Sequence, residues 1–324
     1  MKKILKLILK CLCVLLPLLG FCLYAGTGML GYADDEAPYY LWNKDFGKQA
    51  HAETYDVLIL GDSAANAAYM PEKLSSGTVN LSLGGTTPVV NYYILSDWLK
   101  KNPAPKELFL SVQDFHLSRA DCYWGRTVYT HRLTALQNLE ILWKAEQYQE
   151  RSVAQRGWLL DLIRYELYLP DVYSTAILNS IGSDRPEINQ EAQDSIVLHK
   201  GRYIGVGDQT YQDSQEIVFD SFQVGELFDV YTRMLLDLCE ENGIRVHIVK
   251  LPLPPNEVFT PEYKEELQEY YQSLTDSFEN VEFVWYSEPY PATCFADQTH
   301  MNGFGAARFS SFLKSEFPEC FGSD

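Results

Sequence analysis

The chain has 324 residues and a formal net charge of −18 at pH 7, which excludes nucleic acid as a partner, because phosphate backbones call for clustered Lys and Arg. A hydrophobic share of 46% and an aromatic share of 14% exclude a disordered chain and suffice for one large core with a substantial insertion. None of the seven cysteines stands in a CxxC pair, so no metal site has support and no cofactor is implied.

In chain order, the first predicted element is a membrane segment. Lys2, Lys3, Lys6 and Lys10 precede "CLCVLLPLLGFCLYAGTGMLGYA", 23 uncharged residues from 11 to 33, against roughly 20 needed to cross a hydrocarbon core. Lysines before the span and Asp34, Asp35 and Glu36 after it orient the N-terminus inside and the body outside. Residues 1–33 therefore read as a single-pass anchor. The alternative is a secreted body, since the most apolar part, residues 11–25, has signal-peptide length. No small-x-small cleavage site follows it, and in "LGFC" the bulky Phe21 spoils a lipoprotein box.

Residues 34–54 read as a polar connector dotted with aromatics. The apolar runs "DVLILG" (56–61), "TVNLSL" (78–83), "ELFLSV" (107–112), "RVHIVK" (245–250) and "VEFVWY" (281–286) predict buried strands. Helical patterns lie between or after them, at about 87–101, 221–242, 261–278 and 303–315. The alternation predicts an α/β fold over 55–318: a flavodoxin-like, mostly parallel sheet sandwiched by helices. At about 115–220 it breaks, and the Tyr-, Trp- and Leu-rich stretch there, with helical pattern at 132–150 and 158–169, reads as a helical insertion over the sheet.

Ligands in such sheets bind beyond the carboxyl ends of the strands, so those ends are where chemistry is sought. The first strand delivers Gly61-Asp62-Ser63 to a strand-to-helix junction, where Ser63 can be a nucleophile and unpaired amides can hold an oxyanion, or Asp62 and Ser63 can simply cap a helix. After the second come Gly84 and Gly85, free of side-chain obstruction. The third ends in Gln113-Asp114, and a Gln amide can also donate to an oxyanion. The last is followed by Asp297-Gln-Thr-His300, a spacing at which a carboxylate can fix an imidazole's tautomer. The remaining histidines lack a comparable setting, and His247 falls mid-strand.

"GDSAA", "NLSLGG", "SVQD" and "DQTHMNGFGAARF", in that order, resemble the SGNH, or GDSL-type, hydrolase superfamily. The resemblance implies Ser63 as nucleophile, His300 as general base and Asp297 as its orienting carboxylate. It also implies an oxyanion hole from the amides of Ser63 and of Gly84 or Gly85, with Gln113 where the family carries Asn. With the membrane segment, the chain is similar to the anchored branch that includes the D-alanylation factor and alginate O-acetylation proteins. That branch implies an exported serine esterase or O-acyltransferase acting on a cell-surface polysaccharide or another cell-envelope ester, beside a membrane-bound O-acyltransferase as partner. Gln113 leaves open the alternative of a weakly active or inactive SGNH-fold binding or assembly protein.

Overall fold

The computed structural model describes residues 2–29, 36–202, 209–212, 215–286 and 289–322. The last residues of the expected span, 30–33, and Asp34 and Asp35 lie outside the described residues. The N-terminal helix α1 (Lys2–Met29) is, among the described residues, the one helix long and apolar enough to cross a membrane. That property fits a signal sequence as well as an anchor.

Among the described residues seven strands follow: β1 (Val57–Gly61), β2 (Thr78–Asn80), β3 (Glu107–Ser111), β4 (Ile217–Phe219), β5 (Arg245–Lys250), β6 (Glu257–Phe259) and β7 (Val281–Trp285). Five form one sheet in the order β2-β1-β3-β5-β7, and every pair in it is parallel. These are the five expected strands. The short β4 and β6 pair separately, also in parallel.

Side chains alternate across the sheet, and both faces are covered. Leu58, Leu60, Leu108 and Leu110 pack with Ile94 and Trp98 of α5 (Pro88–Leu99) and Leu235 of α10 (Glu226–Glu241). Leu267 of α11 (Pro261–Ser277) closes that layer. On the other face Val57, Ile59 and Phe109 pack with Tyr69, with Phe309 of α12 (Gly303–Glu316) and with Phe321 of α13 (Pro318–Phe321). Tyr69 follows the short helix α3 (Ser63–Ala68) and precedes α4 (Pro71–Leu74). Each fully buried Leu, Ile or Phe contributes roughly 1.5–3 kcal/mol. Burial on both faces is why β1 and β3 read as unbroken apolar runs rather than alternating ones.

Two regions differ from expectation. Residues 37–48 are not a loose connector: they form α2 (Ala37–Lys48), with Tyr39 and Tyr40 in the core. Asn43 explains the docking, since its Nδ2 donates to Leu81 O at 2.7 Å and its Oδ1 accepts from buried Arg132 Nε at 2.7 Å. The insertion carries four longer helices where the sequence pattern showed two. They are α6 (Ala135–Gln147), α7 (Trp158–Glu166), α8 (Pro170–Gly182) and α9 (Arg185–Leu198). α6 begins on a capping box, Thr134 and Gln137 each satisfying the other's backbone N–H.

The strand order places β2 on one side of β1 and β3 on the other. The chain therefore reverses direction of travel across the sheet at the carboxyl ends of β1 and β3, and a crevice opens there.

Candidate active site

The site is built on the end of β1. Gly61 has φ of 155°, and a Cβ there would lie 1.9 Å from Ser111 O, so β1 and β3 approach as closely as they do only because this residue is glycine. Asp62 follows and is fully buried. Its Oδ1 accepts from the Ala64 amide at 2.9 Å, and its Oδ2 accepts from the Gln113 amide at 2.7 Å and from His116 Nδ1 at 2.9 Å. Asp62 is thus the N-cap of α3 and also a clamp that ties the ends of β1 and β3 together. Ser63, at the first position of α3, is left partly exposed.

The C-terminal loop brings His300. Phe295 and Met301 form an antiparallel bridge, and the Ala296 amide donates to His300 O at 2.9 Å, which folds residues 296–300 into a tight loop. Asn302 secures it by capping α12 and donating to Thr293 O at 2.9 Å. Within the loop, Asp297 Oδ1 accepts from the amides of Thr299 and His300, both at 2.8 Å. Its carboxylate also receives His300 Nδ1–H, with Oδ1 at 2.9 Å and Oδ2 at 2.8 Å. The other ring nitrogen, Nε2, lies 2.8 Å from Ser63 Oγ. With the proton on Nδ1 held by Asp297, Nε2 presents its lone pair to the serine hydroxyl. Burial alone would push the Asp297 carboxyl up, but the His300 hydrogen bond and charge and the two amides hold it down at about 2. It is therefore ionised throughout the neutral range.

The glycines after β2 stand nearby. Thr86 Oγ1 donates to Gly61 O at 2.7 Å, fastening this turn to the end of β1. Gly85 has φ of 67°, and a Cβ on it would strike Cys122, so both the turn and the packing require glycine. Gly84 O accepts from Tyr40 Oη at 2.5 Å. Among the described residues, the amides of Ser63, Gly84 and Gly85 donate to no protein acceptor. The Gln113 side chain likewise makes no hydrogen bond among the described residues, and with Thr299 it lines a small hollow beside Ala64 and Met301.

Gln113 and Thr299 also border a larger cleft of about 480 Å³. Its far wall is the β4–β6 pair with Phe219 and Phe259; its floor holds Lys250, Glu257 and Tyr263. Asp114 accepts from both Lys250 Nζ and Tyr263 Oη. Burial raises the Glu257 carboxyl to about 7, and Asp114 adds to that, against the opposing effects of the Gln298 hydrogen bond and the Lys250 charge.

The structure thus brings Ser63, His300 and Asp297 into one hydrogen-bonded chain and leaves unpaired amides at Ser63, Gly84 and Gly85. Sequence reasoning missed three participants. His116 is not without a setting, since Asp62 holds it; no local signal could show this, because the partners lie 54 residues apart. Lys250 and Glu257 were also passed over, although Lys250 ends a recognised strand and could have been sought there. A further group, Glu107, His247 and Cys320, has metal-like spacing. It starts from the amino edge of the sheet, and its donors are engaged: Arg245 and His247 bind Glu107, and Glu282 binds His247.

No protein-family model matches the chain, and no curated protein shows a significant match to it. Any reading of its chemistry therefore rests on the arrangement of its own residues.

Proposed function

We propose that the protein is an SGNH-type serine esterase or O-acyltransferase, anchored by α1 with its body outside the membrane. The observation that carries the proposal is the Asp297–His300–Ser63 hydrogen-bonded chain at the carboxyl edge of a parallel sheet. The order of the sequence motifs, which resembles that superfamily, adds to it.

In the reaction, His300 Nε2 takes the Ser63 Oγ proton as the oxygen attacks an ester carbonyl. The negative charge on the former carbonyl oxygen is met by the unpaired backbone amides of Ser63 and of Gly84 or Gly85, with the Gln113 side-chain amide available beside them. Asp297 holds the imidazole in its Nδ1–H tautomer and stabilises the imidazolium that forms. As the tetrahedral intermediate collapses, His300 gives the proton to the leaving alkoxide, and an acyl-Ser63 ester remains. Water or a polymer hydroxyl then loses its proton to His300 and attacks that ester, and His300 returns the proton to Ser63 Oγ as the acyl group leaves. The acceptor enters from the cleft walled by Phe219 and Phe259, which Gln298 and Thr299 of the catalytic loop border. The substrate in this reading is a cell-surface polysaccharide or other envelope ester, and a membrane-bound O-acyltransferase is the partner that would supply acyl groups.

The test is intact mass of the full chain in detergent after treatment with a fluorophosphonate. A single adduct is expected in the wild type and in neither Ser63→Ala nor His300→Ala. A folded wild type that stays unlabelled would move the protein to the alternative, a binding or assembly protein on the same fold.

A further inference from the structure

The insertion turns an apolar face to the outside. On α6, Leu136, Leu139 and Trp143 recur at helical spacing and are exposed, Trp143 at 63%, while Ile141, Leu142 and Ala145 face the core. On α7, Leu159, Leu160 and Ile163 are exposed, and only Leu162 is buried. On α8, Leu178 and Ile181 are 69% and 78% exposed, one turn apart, whereas Tyr173 and Ala176 turn inward. Outside α1, most of the exposed large hydrophobic side chains lie between Leu136 and Leu198. Isolated exposed leucines are ordinary; a run of them over three successive helices marks a surface that something covers.

The position of α1 says what covers it. From Lys2 through Phe21 every residue of this helix but Leu19 is exposed, whereas Cys22 and Gly26 are buried. A Cβ on Gly26 would overlap the ring of Tyr168, just before α8, and α1 packs along α8 itself. From Lys2 to Phe21 an α-helix rises about 30 Å, the thickness of a hydrocarbon core. The body therefore meets α1 where the span would leave the hydrocarbon. The contact then runs on without a break: Arg164 of α7 pairs with Asp171 of α8 through Nε at 2.9 Å, the Tyr165 and Tyr173 rings touch, and α7 packs on α6.

We propose that this face of α6, α7 and α8 lies in the boundary between lipid headgroups and acyl chains, so that the body rests on the membrane that α1 spans. The proposal depends on the spanning reading of α1. Trp143 sits where amphipathic aromatic rings favour the interface, and the apolar residues immerse as those of a monotopic helix do. Charge works against adhesion to anionic lipid, since the chain carries a net −18. Apolar contact has to hold the body down, and the docking is insensitive to salt and occurs on neutral lipid.

The test uses the purified full chain reconstituted into phosphatidylcholine vesicles with no other protein. Tryptophan fluorescence is measured with lipids brominated at shallow acyl positions, in wild type and in Trp143→Phe. A substantial share of the quenching is expected to vanish in Trp143→Phe and to survive in high salt. In Leu160→Asp/Ile163→Asp/Leu178→Asp, Trp143 quenching is expected to fall severalfold while thermal unfolding is unchanged, because all three side chains are exposed. If Trp143 is unquenched although the chain resists alkaline carbonate, the docking is overturned, the span stands, and the face belongs to a protein partner. Extraction by carbonate would overturn the span and the docking together.

Discussion

The sheet carries a carboxylate–histidine cluster near each edge, and the two differ in what the second ring nitrogen sees. Near the carboxyl edge, His300 gives Nδ1 to Asp297 and turns Nε2 to a hydroxyl, on a half-exposed loop. Toward the amino edge, His247 lies within β5, with Nδ1 2.5 Å from Glu282 and Nε2 2.9 Å from Glu107, between the rings of Phe109 and Phe317. One ring has a carboxylate and a serine hydroxyl for neighbours; the other has two carboxylates. An imidazole fixed between two carboxylates works as a strut, whereas one between a carboxylate and a hydroxyl has a proton donor within reach. His116, bound through Nδ1 to a fully buried Asp62, joins the structural group. Burial and partner, not the presence of an Asp–His pair, separate chemistry from scaffolding.

The sharpest way to break this comparison is Asp297→Asn. The amide keeps the shape but favours the wrong imidazole tautomer, and kcat on an activated ester is expected to fall about 10⁴-fold. Steady-state kinetics on the folded variant would check it, and a loss under tenfold would refute Asp297's role. The matched change near the other edge is His247→Ala. It leaves Glu107 buried with Arg245 as its remaining partner, and about 3 kcal/mol of stability should be lost. Denaturant unfolding measures this, while activity per folded molecule stays at the wild-type level. Glu107 is held below the usual carboxylate range because the hydrogen bonds from His247 and Arg245 outweigh its burial. Its contribution is therefore present at neutral pH and fades as pH falls through the carboxylate range.

Gln113→Ala is expected to have a smaller effect on kcat than Asp297→Asn, about 10²-fold, with little change in stability. The Gln113 backbone amide still reaches Asp62, so the clamp is preserved and only the free side-chain donor is lost. An unchanged kcat would mean that the backbone amides alone serve the oxyanion.

The five sheet strands and the three motifs at their ends were legible because burial on both faces leaves an apolar run, and glycine or a polar residue marks where it stops. What could not be read depends on distant partners. α2 looked like a connector because Lys44, Asp45 and Lys48 break its apolar pattern. Its place in the core is fixed instead by Asn43 reaching Leu81 and Arg132. β4 and β6, at three residues each, are too short to carry a period, and each depends on the other for its hydrogen bonds. The cleft they wall was therefore invisible, and with it Glu257. Six residues of the site announce themselves at strand ends or in a DxxH pattern, but the cleft beside them is walled by β4 and β6, which no pattern marks.

Glu257 gives the smallest expected effect and the most specific one. With its carboxyl raised to about 7, it changes charge in the working range of a general base, and it lines the same cleft as Gln298, the residue beside Asp297. An acid whose folded pKa lies above its unfolded value costs stability as pH rises from about 4.5 through 7, because the folded state binds the extra proton. Glu257→Gln keeps the hydrogen-bonding shape and removes the charge. The variant should gain a little stability above pH 7 relative to wild type and none at pH 4. Its KM should lose a severalfold pH dependence centred near 7, while kcat, set at Ser63 and His300, moves little. If kcat shifted instead and KM kept its profile, Glu257 would be acting on the catalytic loop through Gln298 rather than on what enters the cleft.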